Sequence, residues 1–383
     1  MVDDLERIYQ EMSSKMSFLA ESASAKSNAF VRGSKDIVHR TAQGGASIMT
    51  GAARKSGDMA KSAVAAAEKT AKSAAEVPGI MLDKVKHWKV HSFEKLPGWM
   101  RDNEFLTFGH RPELNSFREC FKSVFRIHTE TGNIWTHFIG FIAFITVTIL
   151  FYLKPLCEFC NDDIELREKL IFLFFFISAI LCLGLSSLFH TVCCHSEWVN
   201  NIFSKLDYAG IALLTVGSFI PWIYYGFYCQ FTAKVVYLTV ISVLGIGAIT
   251  VTMMDRFNTS DYRPLRAVLF VCLGGFGLVP TVHLFIQNGW SGALVSGGIP
   301  WLLLMAFLYI TGALLYGARI PERFLPGKFD LWFQSHQIFH VLVIAAAFVH
   351  YRGMTNMAVH RLTKAGECEN EITDYSIYNL VLE

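Results

Sequence analysis

Seven long stretches of this chain are nearly free of charge: residues 134–153, 170–192, 206–228, 235–252, 267–286, 299–317 and 332–349. Each runs about 18–23 residues, which is what a helix rising ~1.5 Å per residue needs to cross a bilayer's hydrocarbon core. Backbone groups in lipid must find their hydrogen bonds within the segment, so the stretches are expected to be helices. The expected fold is all-α, a polytopic membrane bundle of seven spans. Composition agrees: 52% of residues are hydrophobic and 17% charged, against about 25% charged in an ordinary soluble domain. Nothing in this pattern suits a nucleic-acid partner; the expected partner is the lipid bilayer.

Lys and Arg set the expected orientation. Arg111, Arg118, Lys122 and Arg126 precede the first stretch. Arg256, Arg263 and Arg266 lie between the fourth and fifth, and Arg319, Arg323 and Lys328 between the sixth and seventh. On the other side Lys234 stands alone between the third and fourth, and the C-terminal tail is acidic (Glu367, Glu369, Glu371, Asp374). Arg167, Lys169 and Lys364 run against the trend. The positive-inside rule then predicts a cytosolic N-terminus and an extracellular C-terminus. That is the reverse of a G-protein-coupled receptor, and the third stretch does not end in Asp-Arg-Tyr. The chain start, Met1 to Arg7, lacks the apolar core of a signal peptide.

Four regions follow. Residues 1–90 are rich in Ala, Ser, Lys and Gly. Leu5, Ile8, Met12, Met16 and Leu19 fall at helical spacing, as do Ala60, Val64, Ala67, Ala71 and Ala74. They form either a tail with nascent helix or a helix resting on anionic lipid or a cytosolic adaptor. Residues 91–132 form a juxtamembrane collar: Phe117, Phe121 and Val124 on one helical face, Arg118, Lys122 and Arg126 around the other, with Ser116 placed to cap it. Residues 133–352 are the membrane domain and 353–383 an extracellular tail. Pro221 and Pro280 predict kinks. Cys157 and Cys160 form a lone CxxC, a weak zinc signal or a local disulfide.

Four metal-type ligands sit at the ends of these stretches. His190 closes the second and Asp207 opens the third, while His336 and His340 open the seventh. With alternating helix direction all four reach one depth. His336 and His340 are four apart and share a helix face, so their imidazoles can hold one ion. Three histidines with a carboxylate or water suit tetrahedral Zn2+, and the absence of clustered thiols argues against iron–sulfur chemistry. Asp207 has a second reading, because Ser204-Lys205-Leu206-Asp207 has the form of a capping box. Ser186, one turn before His190, is placed either to hydrogen-bond a substrate carbonyl or to bond its own backbone. His137 lies at the same depth; His283 and His350 lie nearer the other face, where packing or a hydrogen bond is expected.

The run Phe125-Arg126-Ile127-His128-Thr129-Glu130-Thr131-Gly132-Asn133-Ile134-Trp135-Thr136-His137 closely resembles a signature of the adiponectin receptors, in the progestin and adipoQ receptor family. So do Leu188-Phe189-His190-Thr191-Val192, Phe203-Ser204-Lys205-Leu206-Asp207-Tyr208, Ala318-Arg319-Ile320-Pro321-Glu322-Arg323, and Trp332-Phe333-Gln334-Ser335-His336-Gln337-Ile338-Phe339-His340-Val341. The resemblance covers about residues 93–353; the first 90 residues and the tail lie outside it. It implies seven helices with an internal N-terminus at the plasma membrane. It implies zinc on the residues matching His190, His336 and His340, with Asp207 contributing directly or through water. It also implies adiponectin-type signalling, a role in lipid metabolism and a ceramidase-type hydrolysis. Two functions are therefore weighed. One is a zinc amidohydrolase on a ceramide-like lipid, with Asp207 as base and Ser186 polarising the carbonyl. The other is a receptor for an extracellular adiponectin-like ligand in which zinc is structural.

Overall fold

The computed structural model describes residues 89–153, 166–296, 298–363 and 368. The expectations for residues 1–88, for Cys157 and Cys160, and for the end of the tail lie outside the described residues. The helices are α1 (Phe117–Ser123), α2 (Thr131–Leu153), α3 (Leu166–Val192), α4 (Glu197–Gly226), α5 (Phe231–Thr252), α6 (Arg263–Gly275), α7 (Leu278–Ser296), α8 (Ile299–Ala318) and α9 (Ser335–Thr363). Among the described residues the only extended pairing is an isolated bridge between His91 and His110. Seven spans among the described residues are long and apolar enough to cross a membrane, with α6 and α7 counted together as one.

The helix limits differ from the hydropathy limits in three places. α4 starts at Glu197, where Ser196 caps it by accepting from the Val199 N–H. Asp207 therefore lies about three turns inside α4 rather than at its start. The capping-box reading of Ser204 and Asp207 falls, because the Ser204 hydroxyl donates to the Asn201 carbonyl within the helix. α9 runs to Thr363, so residues 353–363 are helix and not tail. The fifth span is two helices. Pro280 has no N–H to offer the Phe276 carbonyl four residues back, and Val279 N bonds that carbonyl instead. Ser116 stands at the N-cap of α1 without a side-chain cap bond.

Side-chain contacts sort the helix ends into two groups. Glu130 just before α2 meets His190 in the last turn of α3, and Thr136 of α2 meets His340 in the first turns of α9. Arg263 at the start of α6 stacks on Tyr316 at the end of α8. At the opposite end Tyr152 bonds the Lys169 carbonyl, Arg167 bonds Tyr228, and Gln230 bonds Gln287. A disulfide joins Cys229 to Cys368 there. Consecutive spans thus alternate in direction.

The core lies between α2, α3, α4 and α9, where Phe144, Phe175, Phe176, Leu183 and Ile223 are fully buried. Lipid tails are as apolar as these side chains, so close packing rather than water exclusion must favour helix contact. Small residues supply it: a Cβ on Gly217 would meet the Ser178 side chain at 2.1 Å, and one on Gly210 the Cys182 backbone at 3.0 Å. Ile139, Leu153, Ile286 and Leu303 face outward, as a lipid-facing surface requires.

Residues ahead of α1 cross the end of the bundle that holds His190. Asp102 pairs with Arg263, and its carbonyl accepts from Arg319 at 2.5 Å. Asn103 donates to Glu322 at 3.0 Å, and Asp330 accepts from the N–H groups of Thr107 and Phe108, both at 2.9 Å. Glu322 also accepts from the Ser335 N–H at 2.8 Å and so caps the start of α9.

Candidate metal centre

The last turn of α3 and the first turns of α9 bring three imidazoles together. One ligand nitrogen from each of His190, His336 and His340 lies within 4.8 Å of the others. The ring centres are 4.9 Å (His190–His336), 5.0 Å (His190–His340) and 4.7 Å (His336–His340) apart, and the planes cross at 83°, 70° and 88°. Three rings set edge to face converge on one point instead of stacking.

Neighbouring acceptors fix which nitrogen of each ring is available. His190 Nδ1 lies 2.7 Å from Glu130 Oε2. A carboxylate only accepts, so Nδ1 carries a proton and Nε2 is the nitrogen left to face the other two rings. That Nε2 is buried with no partner among the described residues. His340 Nδ1 faces the Asn133 carbonyl at 3.3 Å and the Thr136 hydroxyl at 3.2 Å, which likewise leaves Nε2 for the cluster. Thr136 is itself held by the Gly132 carbonyl at 2.7 Å. Asn133 donates to Glu130 at 2.8 Å. Partial burial would push the Glu130 carboxyl up, but the bonds from His190 and Asn133 and the charge of Arg111 hold it below the usual carboxylate range. This is the carboxylate–histidine arrangement that orients metal ligands.

Arg111 fastens the same turn from outside. Its guanidinium donates to the carbonyls of His190 (2.5 Å) and Thr191 (2.8 Å) and to Ser123 Oγ (2.9 Å). It satisfies carbonyls that end α3, where a cation also favours the helix dipole. His137 lies flat against His340, with ring centres 3.5 Å apart.

Asp207 and Ser186 flank the histidines. Asp207 is buried and close enough to act on both His190 and Ser186. It does not belong to the converging ligand set, which among the described residues is the three histidines alone. The Ser186 hydroxyl is buried beside the Asp207 carboxylate and bonds no backbone carbonyl, unlike its neighbour Ser187, which bonds the Ile134 carbonyl. The backbone-bonded reading of Ser186 therefore falls. On the far side Tyr316 sets its ring 5.1 Å from His336, and Arg263 lies 4.6 Å from the Tyr316 ring centre with Nε and Nη1 buried and unpartnered. His283 and His350 stand apart, bonded to Tyr237 (2.8 Å) and to the Ser218 carbonyl (2.9 Å).

Glu130, Asn133, Thr136, Arg111 and Tyr316 had no assigned role at the site in the reading of the sequence, where Arg111 counted only toward orientation and the first three only toward the family signature. The available signal was the order Glu130, Asn133, His137 within the run 125–137, whose spacing of three and four puts one helix face toward the histidines.

A borderline-soft ion with a tetrahedral preference fits this donor set: three imidazoles, two with Nδ1 fixed by acceptors, and no thiolate among the described residues. Fold and site together define a seven-span membrane protein with a histidine triad, His190 and His340 buried and His336 half-buried, able to hold a metal ion. A family model for haemolysin-III related proteins matches residues 125–351. The "Adiponectin receptor protein" of Drosophila melanogaster is 55% identical over 275 residues, 72% of this chain and 61% of that protein. The "Progestin and adipoQ receptor-like protein 1" of Caenorhabditis elegans is 55% identical over 277 residues, 72% of this chain and 63% of that protein. The "Heptahelical transmembrane protein 1" of Arabidopsis thaliana is 37% identical over 269 residues, 70% of this chain and 80% of that protein. The chain spans under two thirds of the length of the fly and worm relatives. It belongs to the haemolysin-III related family, among the adiponectin receptor and progestin and adipoQ receptor-like proteins.

Proposed function

We propose that the chain is a zinc-dependent lipid amidohydrolase of the ceramidase type within an adiponectin-receptor-like membrane protein. One observation carries this reading: the converging ligand set is three imidazoles, with Asp207 beside it rather than in it. Structural zinc sites close their shell with four protein ligands, whereas catalytic sites keep one position for water. Bound zinc would supply Lewis acidity and a nucleophilic water at neutral pH.

The chain's own residues divide the remaining work. Asp207 accepts the proton from the attacking water and returns it to the leaving amine. The Ser186 hydroxyl, not bonded to the helix backbone and beside Asp207, donates to the carbonyl oxygen of the amide. Glu130 and Asn133 hold His190 and His340 in the tautomer that presents Nε2. Arg263 offers unpartnered N–H groups beside Tyr316, suited to the carboxylate of a released fatty acid. The acyl chain would enter from the bilayer between spans.

The Cys229–Cys368 bridge supports an oxidising, extracellular setting for the C-terminal end. With the distribution of Lys and Arg, it favours a cytosolic N-terminus at the plasma membrane. An adiponectin-like protein would then meet the disulfide end, and the N-terminal region could receive a cytosolic adaptor. Residues 91–132 act as the juxtamembrane segment in this scheme.

The test is fatty-acid release from ceramide by the purified full chain, with zinc content measured and His336→Ala as control. Release above the control supports the amidohydrolase. Zinc present without such release would leave the receptor with structural zinc.

A further inference from the structure

Two thiols meet where the collar joins the bundle, apart from the converging histidines. α3 ends at Val192, and Cys193 and Cys194 follow in a tight turn. The Cys193 N–H bonds the Phe189 carbonyl at 2.8 Å and the His195 N–H bonds the Val192 carbonyl at 2.9 Å. The segment leading into α1 seats on this turn, with the Leu114 N–H on the Cys194 carbonyl at 2.8 Å. α1 buries Cys120 and Ser123. Cys120 and Cys194 are both fully buried, and their sulfurs lie 3.8 Å apart across 74 residues of sequence. Cys120 Sγ also faces the Leu114 carbonyl at 3.5 Å.

Cys193 is kept out of this pair. Its sulfur accepts from Arg111 at 3.1 Å, and its carbonyl accepts from Asn200 at 2.9 Å. Arg111 thus holds one of the two neighbouring thiols while the next one faces Cys120. A disulfide sets its sulfurs about 2.05 Å apart, so the pair has roughly 1.8 Å to close. Side-chain rotation and a slight approach of a seven-residue helix supply that. The hydrogen bond with Cys120 pulls the Cys194 thiol down to about 7, with the Arg111 charge adding to it against the effect of burial. The thiolate is the reactive form of cysteine, so Cys194 is the attacking sulfur and Cys120 the resolving one.

The far end of the bundle offers a contrast. Cys229 and Cys368 are joined there, whereas Cys120 and Cys194 remain thiols. A formed bond at one end and an open pair at the other suits a chain whose ends face different redox compartments. Disulfides on a reducing side are transient and respond to oxidant.

We propose that Cys120 and Cys194 are a redox modification site, which a hydroperoxide oxidises to a disulfide that fixes α1 to the turn after α3. The Cys194 thiolate attacks one peroxide oxygen and the O–O bond breaks, giving a sulfenic acid and hydroxide. The Cys120 thiol then attacks the sulfenic sulfur, the S–S bond forms and water leaves. The proton that Cys194 gave up neutralises the hydroxide. Two thiols and one hydrogen peroxide thus yield one disulfide and two waters; each sulfur loses one electron and the peroxide gains two. Local opening of α1 admits the oxidant, and the new bond suppresses that opening. Arg111 bonds both Ser123 of α1 and the His190 carbonyl, so the lock bears on the turn that carries a histidine of the triad. The site is independent of the hydrolytic reading.

A disulfide map of the full chain, isolated without reductant, tests this. Thiols are blocked with iodoacetamide before and after hydrogen peroxide, and the peptides are read unreduced. Cys120 and Cys194 should both be alkylated before peroxide and joined in one linked peptide after it, with dithiothreitol reversing the link. Cys193→Ser should keep the link. Cys120→Ser should lose it and leave a Cys194 sulfenic acid that dimedone traps. Hydrogen exchange at residues 117–123 should slow at least about tenfold in the oxidised chain, a modest share of what a cross-link of this span gives. The map of the unaltered chain decides the matter whether or not the variants fold. Thiols still alkylated after peroxide, a link through Cys193, a Cys120–Cys194 bond already present before peroxide, or unchanged exchange in the linked chain each overturns the proposal.

Discussion

Glu130 and His190, sixty residues apart in sequence, are joined by one contact of 2.7 Å between carboxylate and imidazole. The contact ties the residue ahead of α2 to the last turn of α3 and sets the proton on the ring nitrogen that faces away from the triad. Glu130→Gln keeps an acceptor for Nδ1 but loses the charge, and Glu130→Ala loses both. We expect zinc affinity to fall about 10-fold and about 100-fold respectively, the usual span for partners of metal-bound histidines. Chelator competition on purified protein reads this directly.

Asp207 should separate catalysis from metal retention. Asp207→Asn is expected to keep its zinc and lose about 10²–10⁴-fold in amide hydrolysis, the range for a lost general base. Metal analysis and turnover are measured on the same sample. Loss of zinc in this variant would make Asp207 a ligand and return the four-ligand, structural reading.

His128 gives a pH dependence of stability. It is fully buried; its Nδ1 accepts from the Glu130 N–H at 3.1 Å and its Nε2 faces the Ser123 carbonyl at 3.1 Å. Burial and then the Arg111 charge hold its pKa well below the ordinary histidine value. The unfolded chain therefore takes up a proton that the folded one refuses once pH drops below about 6.5. Stability from this group is complete above that value and falls by about 1.4 kcal/mol per pH unit below it, until the folded pKa is reached. Thermal unfolding from pH 7 to pH 5 should show the slope, reduced in His128→Asn.

The bridge between Cys229 and Cys368 reports sidedness. In intact cells a membrane-impermeant reductant should open it, and maleimide labelling of the freed thiols from outside should shift the chain on a gel. Labelling only after permeabilisation would place this end of the bundle in the cytosol and reverse the proposed orientation.

The spans were legible because charge is nearly absent from them, and the three histidines because alternation of direction brings the ends of the second and seventh stretches to one level. Hydropathy reported where lipid begins, however, and not where helix begins. Glu197, Asn200, Asn201, Ser204 and Lys205 are polar yet helical, so α4 extends below the apolar stretch and Asp207 is interior to it. The same applies to Arg352, Thr355 and Asn356 in α9. Glu130 escaped notice because it precedes the first apolar residue and acts only through a tertiary contact. The Cys229–Cys368 pairing crosses 139 residues, so nothing local announces it.

The pairings of Asp102, Asn103 and Thr107 with Arg263, Glu322 and Asp330 redraw where the folding unit begins. Cutting the chain at the first apolar residue would remove one of the donors to the buried Glu322, leaving it only Ser335, and would take the Thr107 and Phe108 donors from the buried Asp330. Expression fragments meant to retain an intact triad should therefore keep Asp102, Asn103 and Thr107.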